Sequence, residues 1–283
     1  MLMALALVAL GLMAVPMPSG AGAPGPEVVK PTGELRIALA FLGGQRLIPW
    51  VEFISGGIKQ YMMLVYDYLV GCTDDGQLSA DGGIAEKWAE APDKLSWTFW
   101  LHKGVRFHTG TEVTAEDVKF SVESLFDPKA TAGLLGPTRT AFKELEIKDP
   151  HTVVIHLKRP AIFLPWNFSC ATGGEGMILP AKYFEKVGAD GFARNPVGSG
   201  PYKVAKNTLG SSIQLEALDR HWRDGVPKYK TVTFMLVPEV RAAGFNVFSK
   251  LNDQVVAVYM QQQWDLVPVA DKRVRQALNL AID

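Results

Sequence analysis

The sequence predicts a mixed α/β protein, and three observations carry that prediction. Over residues 95–101 the large apolar side chains Leu95, Trp97, Phe99 and Leu101 alternate with Ser96, Thr98 and Trp100, the pattern of a strand with one apolar face. Residues 114–127 then switch to helical spacing. Thr114 stands where an N-cap is needed, Glu116 and Asp117 put negative charge in the first turn, and Val118, Val122, Leu125 and Phe126 share a face before Asp127-Pro128 ends the helix. Between strand and helix, Lys103-Gly104 and His108-Thr109-Gly110-Thr111 read as turns around a short apolar beat. The third observation is bulk: 283 residues that are 48% hydrophobic can bury the core of one large or two smaller domains.

Taken in order, the chain opens with an apolar run, residues 1–15, followed by a Pro, Gly, Ser and Ala stretch with Ala-Gly-Ala at 21–23. That reads as the h-region and cleavage zone of an export signal spanning residues 1–23, although it has no basic n-region. No cysteine follows to carry a lipid, and the run is short for a membrane span. Residues 33–40 alternate as a strand through Leu35, Ile37 and Leu39, and Phe41-Leu42-Gly43-Gly44 leaves it. Ile58, Tyr61, Met62, Val65 and Leu69 follow at helical spacing, a core-facing stripe. Residues 72–83 are turn-rich. Their Asp74, Asp75 and Asp81 lack calcium-loop spacing and read as a solvated loop. Residues 142–147 and 151–157 read as a hairpin about Asp149-Pro150, and residues 180–187 as a short helix beginning with a proline. Gly198 and Gly200 punctuate a turn that leads into a strand at Tyr202 and Val204; a phosphate loop would instead lead into a helix through Gly-Lys-Ser or Gly-Lys-Thr. Ile213, Leu215 and Ala217, then residues 231–237 and 255–260, suggest further strands, and Val274, Ala277, Leu278 and Ala281 form a helical stripe behind Asp271.

Charge and chemistry narrow the function. Lys plus Arg and Asp plus Glu each number 29, with no long run of one sign, so nothing favours nucleic acid or an acidic membrane, and a neutral or mixed-polarity ligand fits better. A nucleophile elbow, a zinc helix and clustered Cys/His pairs are absent from the sequence; His102, His108, His151, His156 and His221 are scattered without ligand spacing. The residues therefore predict neither an enzyme nor a cofactor. Cys72 and Cys170 leave two readings open, a single disulfide in an oxidising compartment or two buried thiols.

Four blocks, in order, carry a resemblance. They are Gly83-Ile84-Ala85-Glu86-Lys87-Trp88; the run TFWLHKGVRFHTG with TAEDVKFSVESL; Pro196-Val197-Gly198-Ser199-Gly200-Pro201-Tyr202-Lys203; and RVRQALNLAID at 273–283. This pattern resembles the bacterial extracellular solute-binding proteins of family 5, which deliver oligopeptides, dipeptides, nickel complexes and related solutes to ABC importers. The resemblance implies a periplasmic-binding-protein-like (class II) first lobe. Residues 24–71 and 171–250 would form a discontinuous main lobe, residues 72–170 a small inserted α+β domain, and residues 251–283 the crossover and start of a second lobe that family members continue beyond this point. It implies a small-molecule or peptide ligand, and ABC transporter permease subunits as partners of an exported, periplasmic or extracellular protein. Phe41, Gly43 and Gly44, at the end of the first strand, border the cleft in that scheme. Trp166, Asn167, Phe168 and Ser169 would lie where the chain returns to the main lobe, and Tyr259 in the crossover. The plain alternatives are a strand-end turn for the first group and domain-interface anchors for the second. At the level of the whole chain, the alternative is a remnant or interaction domain that binds little or no solute.

Overall fold

The strand expected after Gly33 forms as β1 (Glu34–Leu39), and α1 (Gly56–Val65) follows it. The computed structural model describes residues 30–52, 56–73, 75–131, 136–223 and 227–237; the expected signal segment, the strand at 255–260, Tyr259 and the stripe behind Asp271 lie outside them. Ile58, Tyr61, Met62 and Val65 are buried on α1 as their spacing predicts, but the helix stops before Leu69. The reason lies in where the next backbone groups go. Leu69 N–H donates to the Gly176 carbonyl (2.7 Å), Val70 N–H to that of Phe168 (3.1 Å), and the Tyr68 and Leu69 carbonyls accept from Ile84 and Ala85 (2.8 Å each). Tertiary pairing has claimed the groups that a further helical turn would use. Leu69 is still buried, as an extended-segment side chain.

After this crossing segment come β2 (Gly71–Cys72) and β3 (Leu78–Ser79), a small two-stranded ribbon. The chain then builds β4 (Ala85–Glu90), β5 (Ser96–Leu101), α2 (Ala115–Phe126), α3 (Gly136–Ala141), β6 (Phe142–Asp149) and β7 (Thr152–Leu157). These four strands form an antiparallel sheet in the order β4-β5-β7-β6, with Phe99 opposite Val153 and Leu145 opposite Ile155. Only part of the predicted apolar face of β5 is deep. Phe99 and Leu101 are buried, whereas Leu95 just before the strand is exposed. Val118, Val122 and Leu125 turn the inner face of α2 into the same core, and truncating a ring such as Phe99 there would cost about 3–5 kcal/mol.

The start of α2 is held as its sequence suggests, with the carboxylate doing more than capping. Thr114 N–H and Oγ1–H both donate to Asp117 Oδ2 (2.9 and 3.0 Å), while Asp117 Oδ1 accepts from Ala181 N–H (2.9 Å). Burial pushes the Asp117 carboxyl up, and these donors pull it back down. The chain returns through α4 (Leu164–Asn167) to α5 (Ala181–Arg194). The short helix predicted to Val187 is the first part of α5; Gly188, at φ +68°, kinks it before it runs on to Arg194.

Finally β8 (Tyr202–Thr208), β9 (Ser212–Ala217) and β10 (Thr231–Leu236) join β1 in a second four-stranded sheet, β1-β10-β9-β8. β1 runs parallel to β10, with Leu35 opposite Val232 and Ile37 opposite Phe234, and the other two pairings are antiparallel. Tyr61 of α1 meets Phe234 edge-on at 5.8 Å, so the helix covers this sheet with the stripe its sequence marked out.

Candidate functional site

The outgoing and returning chains run side by side between the two sheets. Val70 pairs with Ser169 in a parallel bridge and Tyr68 with Met177 in an antiparallel one, and a disulfide joins Cys72 to Cys170, whose Cα atoms are 5.7 Å apart. The structure thereby settles the two readings of the cysteines in favour of a bridge. Gly176 sits at this crossing because any Cβ there would collide with the Phe168 backbone, so the close approach of the two segments requires glycine.

The first group of candidate residues lies at the start of α1. The Phe41 ring is 62% exposed, and the Phe41 carbonyl lies 3.5 Å from where a Cβ on Gly57 would stand. Gly43 has φ +64°, and a Cβ there would come within 2.5 Å of Ile58 Cδ1. Gly44 lies beside the carboxylate of Glu52, whose Oε1 is 3.6 Å from its Cβ position. That carboxylate is buried. It accepts the N–H groups of Arg46 and Leu47 and so folds the 43–47 turn around itself; burial pushes its pKa up from the usual carboxylate value, against those donors. Gln45, at φ +53°, carries the turn to the β8–β9 hairpin: its Nε2 donates to Asn207 Oδ1 (2.8 Å) and its Oε1 accepts from Gly210 N–H (2.6 Å).

The second group divides. Trp166 is 40% exposed, next to the more exposed Ile162 and Phe163, so this corner presents an apolar surface. Asn167 Nδ2 donates to Thr138 Oγ1 (2.6 Å). Phe168 and Ser169 are fully buried, and the Ser169 hydroxyl donates to the Trp166 carbonyl (2.7 Å) and accepts from Ala171 N–H (3.1 Å). Their contribution to any site is to hold the exposed Trp166 in place. Lys59, on the first turns of α1, donates from Nζ to the Cys170 carbonyl (2.6 Å), bringing the return loop to the same end of α1 that Phe41 reaches.

Beside this corner the surface is hollow in a place the sequence reading did not single out. A cavity of about 430 Å³ is lined by residues that include Lys59, Tyr66, Asp67, Cys170 and Arg223. A second, of about 810 Å³, takes in His102, Lys103 and Trp222, and the two share Cys72, Thr73, Gly82 and Arg223. At their back is Asp67, an acid buried at 2% exposure. Trp222 Nε1–H donates to its Oδ2 (2.8 Å), Arg223 Nη2–H to its Oδ1 (2.9 Å), and His221 Nε2 stands 3.4 Å from Oδ2. The signal for it was a single carboxylate within the otherwise apolar and aromatic run Val65-Tyr66-Asp67-Tyr68-Leu69-Val70, a residue that burial permits only with partners. Among the described residues no group of His, Cys, Asp and Glu is placed to hold a metal ion, and no helix is long and apolar enough to cross a membrane.

A mixed sheet with an antiparallel sheet inserted into it, the two joined by the paired crossing, is an architecture this chain shares with solved bacterial solute-binding proteins. The binding protein MoaA of A. tumefacien R10, solved with mannopinic acid, superposes with a TM-score of 0.64 at 30% identity over 75% of this chain and 42% of its own. The oligopeptide-binding protein AppA of Bacillus subtilis, solved with a nonapeptide, gives 0.60 at 28% identity, covering 76% of this chain and 42% of that one. In sequence, the periplasmic oligopeptide-binding protein OppA of Haemophilus influenzae is 28% identical over 265 residues, 78% of this chain and 48% of its own length. A probable D,D-dipeptide-binding periplasmic protein of Escherichia coli K12 is 33% identical over 171 residues, 59% of this chain and 32% of its own length. The model of the middle part of bacterial extracellular solute-binding proteins, family 5, matches residues 80–261, more than half of the sequence, and the chain belongs to that family. It spans about half the length, or less, of the curated relatives it matches.

Proposed function

We propose that this chain is the substrate-binding component of an ABC-type importer for peptides or a related small solute, exported to the periplasm or cell exterior and acting with permease subunits. The family match over residues 80–261 is the observation that carries this reading. Relatives whose names describe oligopeptide and dipeptide binding support the ligand class. In this reading residues 24–71 and 171–250 form the main lobe, residues 72–170 the inserted domain and residues 251–283 the crossover; residues 1–23 are removed on export. Phe41 and Trp166 supply apolar walls, Gly43 and Gly44 shape the turn that presents Phe41 by letting it pack against Ile58 and Glu52, Asn167, Phe168 and Ser169 position Trp166, and Tyr259 contributes from the crossover. Such a binder gains affinity by burying most of the solute against apolar walls while a few polar groups fix its orientation, and it catalyses nothing. Closure around the solute would be a hinge motion driven by better contacts in the closed state.

Calorimetry with a panel of dipeptides to nonapeptides tests this directly. Saturable binding by at least one peptide is expected, weakened about tenfold or more in Trp166→Ala, because an aromatic wall contributes on the order of 1.5–3 kcal/mol. A panel that gives no saturable heat with the folded, monomeric chain would instead favour the reading as a remnant or interaction domain.

A further inference from the structure

The turn that leaves β1 has a backbone found at few places in this chain. Among the described residues, those that are not glycine and take a positive φ are Gln45 (+53°), Leu47 (+56°) and Lys94 (+60°), and the first two share this turn with Gly43 at +64°. The left-handed region crowds Cβ against the backbone, so a side chain stays there only where its surroundings fix it, and such residues gather where ligands are clamped.

Here the surroundings do fix it. Tyr61 Oη–H donates to the Leu42 carbonyl (2.8 Å) and Tyr66 Oη–H to that of Leu47 (2.7 Å), one at each end of the turn. Gln45, buried at 2% exposure, commits its whole side chain to the β8–β9 hairpin: besides its bonds with Asn207 and Gly210, Nε2 reaches the carbonyls of Thr208 (3.2 Å) and Ser212 (3.4 Å). Asn207 returns a bond from Nδ2 to the Gln45 carbonyl (2.8 Å). Inside the turn, Glu52 Oε1 takes two backbone donors while Oε2 is buried without a partner, a cost that adds to that of the backbone.

What this constrained turn carries is Phe41. The ring is 62% exposed, yet the main chain on either side of it is tied down, the Leu39 carbonyl by Val237 N–H (2.9 Å) and the Leu42 carbonyl by Tyr61. Leaving a strand needs none of this, since glycine at position 45 would take the same φ without strain. Glutamine is held in the strained conformation by a side chain that joins the turn to a hairpin 162 positions away. An aromatic wall ordered in advance by such a joint saves the entropy of ordering it when a solute arrives.

We propose that Gln45 is a positioning residue for solute binding: its side chain locks the turn to the β8–β9 hairpin and thereby fixes Phe41 as a preformed apolar wall. Gln45 itself does not touch the solute. This role rests on the solute-binding reading above, in which Phe41 lines the site, and adds to it the device that sets the wall.

The far side of the joint offers the test. Asn207→Ala, on β8, removes both bonds between Asn207 and Gln45 and leaves the turn's own residues in place. Gln45→Ala is the second variant, and thermal unfolding checks that both fold. The full chain is labelled with para-fluorophenylalanine, the Phe41 fluorine signal is assigned by its loss in Phe41→Ala, and trileucine is titrated while calorimetry gives the affinity. The natural chain is expected to show a single Phe41 signal that shifts saturably with trileucine. In both variants the signal of the unliganded chain should broaden or split, and the affinity should fall about threefold or more. In the Phe41→Ala background Asn207→Ala should cause no further loss, because a residue that acts through Phe41 has nothing left to position. A Phe41 signal and an affinity that both variants leave unchanged overturn the proposal. So does a loss that persists in the Phe41→Ala background, which assigns Gln45 and Asn207 to general support of the fold. Saturable heat from trileucine with a still Phe41 signal, or binding of other peptides of the panel above but not of trileucine, also overturns it; in all these cases the solute-binding reading stands. No heat with trileucine or with any peptide of that panel removes both readings together.

Discussion

The sheet β4-β5-β7-β6 takes all its strands from residues 85–157, whereas β1-β10-β9-β8 closes by pairing residues 34–39 with residues 231–236. In the first, each strand finds its partner through a turn or across one helical excursion. In the second, the parallel pair forms only after nearly the whole described chain has been gathered between its members. Chain closure costs entropy that grows with the logarithm of the loop, so the long-range sheet depends more on what holds the crossing together than the local sheet does. What holds it is a small set of features at the joint: two glycines against α1, one disulfide and a histidine, His108, that clamps the loop.

The glycines should give the largest effect. A Cβ on Gly198 would run into the Val65 carbonyl and stand 2.7 Å from the Tyr66 ring, while Gly200 N–H donates to that same carbonyl (2.9 Å) and keeps the loop from moving away. Gly198→Val is expected to destabilise by about 4 kcal/mol or more in urea unfolding, with hydrogen-exchange protection lost in β8–β10 before β4–β7. Gly104→Ala, in the local sheet's turn at φ +79° with nothing within 4 Å of its Cβ position, is expected to cost only about 1 kcal/mol. Equal costs would show that the joint is no more demanding than a surface turn.

Next is the bridge. Cys72 and Cys170 are separated by 98 positions, and removing a disulfide that closes a loop of this length costs roughly 2–4 kcal/mol. The Cys72→Ser, Cys170→Ser double variant should lose that much stability in urea unfolding while leaving the exchange pattern within β4–β7 nearly native. Uniform loss of protection across both sheets would mean that they unfold as one unit and that the contrast between them has no energetic counterpart.

The smallest effect is one of acidity. His108 Nδ1 accepts from Gly198 N–H (3.2 Å) and its Nε2 faces the Gly200 carbonyl (3.0 Å), so the ring clamps the loop as neutral imidazole. The Lys203 ammonium and the His221 imidazole also face it and oppose its protonation, whereas Asp67 favours it. Burial is the first cause that holds its pKa below the usual 6.5. A depressed histidine contributes stability that is fully present above about pH 6.5 and is lost as pH falls through the folded value. Protonating Nδ1 also strands the Gly198 donor, so the natural chain should lose roughly 1–3 kcal/mol between neutral and mildly acidic pH, and His108→Gln should flatten that slope. An unchanged slope in the variant would assign the acid sensitivity to other groups.

How much of this was legible in the sequence follows the same division. Alternation in Trp97, Phe99 and Leu101, the cap at Thr114 and the hairpin about Pro150 depend on neighbours a few residues away, and they form as read. Leu69 did not extend α1, because its backbone bonds to partners such as Gly176, a hundred residues on, that no local period encodes. The crossing cysteines could be seen but not paired, since proximity across 98 positions belongs to the fold. In the candidate site, Phe41 and Trp166 were marked by the family resemblance and not by any local period, while Asp67 and Arg223 meet only in three dimensions, 156 positions apart. Buried Phe168 shows the limit of composition: an aromatic in a loop reads the same whether it lines a cleft or supports one.

The bridge at the crossing also changes how the molecule carries load. In a chain pulled from its two ends, force passes from one residue to the next along every peptide bond. Here it leaves the main chain at Cys72 and rejoins it at Cys170. The antiparallel sheet β4–β7 and helix α2 lie on the bypassed branch. Tension from an anchored terminus, or from an unfoldase that threads the chain, would therefore strip β1 from β10 and leave the inserted sheet folded until the sulfurs are reduced. A protease cut in the turn at 103–111 would give two pieces that still travel as one molecule.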